Sequence, residues 1–141
     1  MPKVSIVLPT YNGEKYIRES IDSILNQTFT DWELIIVNDC STDNTVNIIQ
    51  EYAEKDKRIK IINNKKNEKL PNSLNIGFRE AIGEYLTWTS DDNVYLNRAI
   101  EEMVKFLEEN LEYQMVCARM DFIDKNGNFM YKHVELSLIH I

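Results

Sequence analysis

The chain has 141 residues, 43% of them hydrophobic and 28% charged, a composition that fits one globular domain large enough to bury a core. Its 16 Lys and Arg stand against 23 Asp and Glu, a formal charge of −7, which argues against a protein that works by neutralising nucleic-acid phosphates. No run of 18 apolar residues is present, and Pro9 cuts the opening apolar run short of a signal-peptide core, so a soluble, cytoplasmic chain is expected. Cys40 and Cys117 stand far apart with no His at ligand spacing, which speaks against a disulfide scaffold or a zinc ribbon and for two packed thiols.

Residues 4–8 read as a strand buried on both faces, ended by Pro9-Thr10-Tyr11-Asn12-Gly13. From Glu14 onward, Ile17, Ile21, Ile24 and Leu25 fall on one face of a helix. Residues 34–37 make a second buried strand. After Asn38-Asp39-Cys40, the Ser41-Thr42-Asp43 stretch offers N-cap side chains to a helix that buries Val46, Ile49, Tyr52 and Ala53. Residues 59–62 form a third strand. A polar stretch over 63–69 leads to a helix with Pro71 in its first turn, Leu74, Phe78 and Ala81 on its apolar face, and Gly83 as its stop. Residues 84–88 are a fourth strand, ending at Thr89-Ser90-Asp91-Asp92-Asn93. Ile100, Met103, Val104 and Leu107 mark a further helix, residues 113–118 a fifth strand, and Lys125-Asn126-Gly127-Asn128 the turn of a hairpin.

This order, βαβαβαβαβ followed by an antiparallel element, specifies an α/β fold: a mostly parallel sheet with right-handed crossovers and helices on both faces. The final Leu136-Ser137-Leu138-Ile139-His140-Ile141 resembles the in-frame translation of an adapter end used in sequencing libraries. Residues 1–135 are therefore expected to carry the fold and 136–141 to be a non-native tail, with a genuine last strand as the alternative. His133 reads as a surface strand residue.

In an open α/β sheet, ligands bind at the carboxyl ends of the parallel strands. That rule selects Pro9-Thr10-Tyr11-Asn12, Asn38-Asp39 and Ser90-Asp91-Asp92, a set with the chemistry of a nucleotide site. Tyr11 can stack on a base, and Asp39 can accept from a ring N–H. Asp91 and Asp92 can hold Mg²⁺ or Mn²⁺ against a diphosphate, and two adjacent carboxylates call for a cation. Taken singly, Tyr11 could only cover the core edge, Asp39 could cap the second helix and Asp92 the next one. The combination at three strand ends favours the functional reading. No Gly-x-Gly-x-x-Gly, Gly-x-x-x-x-Gly-Lys or Gly-x-Ser-x-Gly is present, and neither His133 nor His140 sits in a triad pattern. Two rivals are a sugar nucleotidyltransferase, whose Gly-rich loop after strand one is missing, and a non-enzymatic metal-binding α/β module, whose acidic pair after strand one is missing.

The motifs Val4-Ser5-Ile6-Val7-Leu8-Pro9-Thr10-Tyr11-Asn12, Ile36-Val37-Asn38-Asp39-Cys40-Ser41-Thr42-Asp43 and Gly83-Glu84-Tyr85-Leu86-Thr87-Trp88-Thr89-Ser90-Asp91-Asp92, in this order and spacing, resemble a family 2 glycosyltransferase with the GT-A fold. The resemblance runs from Pro2 to about Tyr131 and implies a Rossmann-like nucleotide-binding half. It implies inverting transfer of a sugar from a nucleotide-sugar donor, usually a UDP-sugar, to a saccharide or lipid-linked acceptor, as in building bacterial cell-envelope polysaccharides. By position, Pro9, Thr10 and Tyr11 would line the nucleoside pocket, Asp39 would bind the base, and Asp91 would face the ribose or donor sugar. Asp92 would ligate Mg²⁺ or Mn²⁺, which stabilises the departing diphosphate.

Two departures stand out. Thr89 occupies a position where many members carry a further Asp, and Leu74 one where relatives often carry Arg, which leaves Lys69 as the nearby cation for donor contacts. The resemblance also implies a general base well downstream of the acidic motif. That base is expected beyond residue 141, so none of Asp121, Asp124 and Glu135 is assigned the role, and the chain is expected to bind donor without turning over. The partners implied are a nucleotide sugar and its acceptor, no nucleic acid, and peripheral association of the whole protein with the inner face of a membrane.

Overall fold

The computed structural model describes residues 1–132, in two compact units, Met1–Asn97 and the segment from Arg98 onward. His133, Glu135 and the tail 136–141 lie outside the described residues. The first unit holds β1 (Val4–Thr10), α1 (Ile17–Leu25), β2 (Trp32–Asn38), α2 (Thr45–Lys55), β3 (Ile59–Asn63), α3 (Lys69–Glu80) and β4 (Tyr85–Trp88). The four strands form one parallel sheet in the order β3-β2-β1-β4.

The chain steps from β1 to β2 to β3 in one direction and then returns across β2 and β1 to reach β4. Right-handed crossovers then place α3 on the face opposite α1 and α2. The packing agrees. Val7, Ile35 and Val37 share one face and meet Leu74, Ile76 and Phe78 of α3, with Ala81 just beyond it. Ile6, Leu8, Leu34 and Ile36 alternate to the other face and are fully buried, as are Ile17, Ile21 and Ile24 of α1 and Ile49 of α2. Gly77 lets α3 lie close to the sheet, because a Cβ there would overlap Val7 Cγ1 and sit 3.1 Å from Val37 Cγ2.

One polar cluster interrupts the apolar sheet. Glu33, 4% exposed, accepts from Ser5 Oγ at 2.6 Å, from Lys60 Nζ at 2.7 Å and from the Ile82 N–H at 3.0 Å, while the Gly83 N–H donates to Ser5 Oγ at 2.8 Å. Burial pushes the Glu33 carboxyl up, but these donors outweigh it and hold the group below the usual carboxylate range.

Three expectations are corrected. β1 does not stop at Leu8 but runs through Pro9 to Thr10, with Pro9 opposite Val37. Val7 receives the Thr89 N–H and Thr10 the Asp39 N–H, so an N–H at position 9 would point to the β4 side, past the last β1–β4 partners, Val7 and Trp88. A missing donor there leaves no ladder bond unmade. Gly83 is not the helix stop: α3 ends at Glu80, and the Gly83 N–H instead anchors the connection to Ser5. Residues 113–118 form no strand, because no ladder partner is offered to them among the described residues.

The second unit contains α4 (Ala99–Glu109) and a hairpin of β5 (Asp121–Ile123) and β6 (Phe129–Lys132). The hairpin turn falls where the Asn-Gly signal placed it, with Gly127 at φ +80. Asp124 shapes this turn by accepting from the Asn126 and Asn128 N–H groups and from Asn128 Nδ2.

Candidate functional site

The reversal of strand order between β1 and β4 opens a crevice at their carboxyl ends, and the three polar segments meet there. Thr10, the last residue of β1, joins both neighbours. Its carbonyl accepts the Asp39 N–H at 2.9 Å, and its hydroxyl donates to Asp91 Oδ2 at 2.5 Å. The Asp91 loop is pinned further by Ser20 Oγ, which donates to the Ser90 carbonyl at 2.9 Å. Gly13 faces this pair so closely that a Cβ would overlap Asp91 Oδ2 and lie 2.6 Å from Thr10 Oγ1. Sequence reading passed over Gly13 as a mere turn residue.

Asp91 is half-buried and Asp92 exposed. Burial, and then the neighbouring Asp92 charge, push the Asp91 carboxyl above the usual range, although the Thr10 hydroxyl pulls the other way. No Lys or Arg pairs with either carboxylate, and no group of three His, Cys, Asp or Glu forms a ready metal cage, among the described residues. Two adjacent carboxylates without a protein cation, one partly exposed to ligand, suit an ion that completes its shell from phosphate oxygens and water.

Asp39 does cap a helix, but α3 and not α2. Its Oδ1 accepts from Asn64 Nδ2 at 2.8 Å and from the Glu68 N–H at 2.7 Å, and its Oδ2 from the Lys69 N–H at 2.9 Å. Burial alone would push this carboxyl up; the donors from Asn64, Glu68, Lys69 and Ser73 together hold it below the usual range. Asn64 also donates to Ser73 Oγ at 3.1 Å, which ties the 63–69 stretch to α3. Lys69 has φ +68, and its side chain makes no ion pair among the described residues. Leu74 points into the core against Val7, Ile35 and Val37, so its side chain belongs to packing. Pro9 is buried within β1, Thr10 is 3% exposed, and Tyr11 is 52% exposed beside them. Thr89 is buried, with its N–H on the Val7 carbonyl.

The loops after β1 and β2 are laced together by bonds that sequence reading missed. The Asn12 N–H donates to Ser41 Oγ at 3.0 Å, and Asn12 Oδ1 accepts from the Thr42 N–H at 2.7 Å and from Thr42 Oγ1 at 3.3 Å. The Glu14 N–H donates to Asp43 Oδ2 at 3.2 Å, and the Asn44 N–H donates to Glu14 Oε2 at 2.8 Å. Of the three side chains expected to cap α2, only Asp43 does so, accepting the Thr45 N–H at 3.0 Å.

The family model for glycosyl transferase family 2 matches residues 5–140. The chain belongs to this family. A putative glycosyltransferase, EpsE of Bacillus subtilis, is 42% identical over 127 residues, 89% of this chain and 46% of EpsE. An uncharacterized glycosyltransferase of Haemophilus influenzae is 46% identical over 109 residues, 77% of this chain and 34% of that protein. This family 2 chain therefore spans less than half the length of these two relatives. Among solved structures, S. aureus TarS 1–349 in complex with UDP-GlcNAc superposes with a TM-score of 0.73 at 31% identity, over 77% of this chain and 32% of TarS 1–349. The mannosyltransferase PcManGT of Pyrobaculum calidifontis, in complex with GDP-Man and Mn²⁺, gives 0.70 at 28% identity, over 75% of this chain and 32% of that one. The GT-A, Rossmann-like architecture expected for the family is the one this family 2 chain adopts.

Proposed function

We propose that this family 2 chain holds the nucleotide-sugar donor of an inverting glycosyltransferase, with a UDP-sugar as donor and a saccharide or lipid-linked molecule as acceptor. The observation that carries the proposal is the junction at Thr10, which hydrogen-bonds Asp39 on one side and Asp91 on the other at the switch point of the sheet. The UDP-GlcNAc complex of TarS supports the donor class, and the Mn²⁺ in the PcManGT complex supports a divalent ion.

The residues take these roles. Tyr11 stacks on the base and the Asp39 carboxylate accepts from the base edge, over a floor of Pro9 and Thr10. Asp91 faces the ribose or donor sugar, held by the Thr10 hydroxyl, and Lys69 supplies a cation toward the donor. Asp92, with Asp91 beside it, would hold Mg²⁺ or Mn²⁺, whose charge stabilises the departing diphosphate. In the reaction an acceptor hydroxyl oxygen bonds to the anomeric carbon from the opposite face. The bond from that carbon to the diphosphate oxygen breaks, and the acceptor proton passes to a base. No described carboxylate is assigned as that base; Asp124 is committed to its own turn by three donors. The chain is accordingly proposed to bind donor without completing transfer. A lipid-linked acceptor would place the whole protein at the inner face of a membrane, although no described helix is long and apolar enough to cross one.

The test is calorimetric titration of UDP into the chain with Mn²⁺ and then with EDTA, alongside Asp92→Ala, whose exposed side chain can be removed without touching the core. Mn²⁺-dependent binding, abolished by EDTA and weakened at least about tenfold in the variant, is expected. Binding indifferent to metal would refute the ion's role, and no binding by a folded chain would refute the donor reading.

A further inference from the structure

We propose that Asn12 is a positioning residue for the nucleoside, acting through Tyr11 by clamping the loop after β1 to the loop after β2. The proposal rests on the reading that Tyr11 and Asp39 hold a base. Asp39 is fixed independently, by three donors from the N-terminal region of α3 and Asn64. Tyr11 is held only at its backbone, where its N–H donates to the Asp91 carboxylate; its side chain is half-exposed, past the end of β1, and is followed directly by Asn12.

The backbone at Asn12 has φ +55, a left-handed conformation that Asn adopts more readily than other residues with a side chain. In that conformation its N–H and its Oδ1 both turn to the second loop, to Ser41 and Thr42, so one residue makes a two-way bridge. Cys40, at φ +63, presents the opposite rim in the same way, and its thiol donates to the Asn64 carbonyl at 3.0 Å, which ties that rim to the segment holding Asp39. The Glu14 and Asp43 exchange with Asn44 closes a second rung. The bonds made by Asn12 and Glu14 are exposed to water, so they add little to the stability of the whole fold. Their effect is to fix one rim of a pocket against the other before a ligand arrives, which raises affinity by reducing the ordering that binding would otherwise require.

The test compares UDP affinity in the presence of Mn²⁺, together with thermal midpoints, for the chain, Asn12→Gly and Asn12→Asp. Glycine takes the left-handed conformation freely but has no acceptor; aspartate keeps both the acceptor and a tolerance for that conformation. Asn12→Gly is expected to weaken UDP about tenfold with a midpoint within about 2 °C of the parent, and Asn12→Asp to stay within about threefold of the parent. Unchanged affinity in Asn12→Gly overturns the proposal, as does equal weakening in both variants. A midpoint lowered by about 8 °C or more in Asn12→Gly also overturns it, since Asn12 would then serve the fold at large. If the parent itself binds no UDP, the donor reading has failed and this proposal falls with it, an outcome visible before any variant is compared.

Discussion

Replacing Asp39 with Asn tests the dual character of this carboxylate. The substitution keeps the shape and exchanges one oxygen for an amide NH2 group, yet three N–H donors, with the Ser73 hydroxyl beside them, converge on the two oxygens. The less damaging rotamer turns the amide NH2 group toward the Lys69 N–H, leaving Asn64 and Glu68 on the remaining oxygen. A buried donor left unpaired costs about 1–3 kcal/mol, and two charge-assisted bonds that become neutral cost about 1 kcal/mol more. The Lys69 N–H retains Asn67 Oδ1 at 3.2 Å, which brings the expected loss toward the lower end, about 2 kcal/mol, or roughly 6–10 °C in Tm. The pH dependence carries a sign. Because its bonds hold the Asp39 carboxyl below the ordinary range against the effect of burial, its stabilisation is complete above the unfolded-state value of about 3.9 and is lost as pH falls through the folded-state value. Urea unfolding of parent and Asp39→Asn should therefore show a full gap between pH 5 and 7 that closes below about pH 4. A gap smaller than about 0.5 kcal/mol at pH 7, or one undiminished at pH 3, would refute the reasoning.

Two further outcomes are expected. Gly77→Ala puts a methyl into fully buried Val7 and against Val37; overpacking of about 1–3 kcal/mol outweighs the roughly 1 kcal/mol gained in helix propensity. Its urea midpoint should fall, with weaker UDP binding because α3 carries the Lys69 N–H on Asp39, and an unchanged midpoint would contradict the packing described for α3. Thr10→Val keeps the shape of a buried side chain but strips Asp91 Oδ2 of its hydroxyl donor, at about 1–2 kcal/mol; Thr10→Ser should recover most of the loss in thermal unfolding and in UDP titration, and failure of that recovery would count against the bond.

The strands of the parallel sheet were legible because apolar runs lead into polar residues, Thr10 closing β1, Asn38 closing β2 and Thr89 following β4, and the carboxyl-end rule gathers those endings into one candidate location. The Asn126-Gly127 turn was legible for a local reason, the positive φ that Gly127 takes. Contacts between residues distant in sequence were not. Asp39 was read against the helix that follows it, whereas the N–H groups it receives come from residues 29 and 30 positions later. The polar 63–69 stretch, whose N–H groups need an acceptor somewhere, was the available signal. Pro9 looked like a strand end because its missing N–H is a liability only where a ladder bond is due, and which neighbour that bond would face depends on strand order. Residues 113–118 have strand composition, but a strand exists only against a partner, and composition does not supply one.

The Glu33 cluster joins groups 28, 27 and 49 residues apart along the chain, and through Ser5 reaches one 78 away. Strands as uniformly apolar as β1 and β2 could slide past one another by two residues and still bury the same kinds of side chain. Such a slip would part Glu33 from Ser5, its partner in register, and strand a carboxylate in the sheet. The cluster thus acts as an alignment pin: it closes only when β1, β2, β3 and the chain entering β4 are all in their native offsets. Those offsets set how far Thr10, Asp39 and Asp91 project at the opposite end of the sheet, so the fit of the crevice is gauged at the end remote from it.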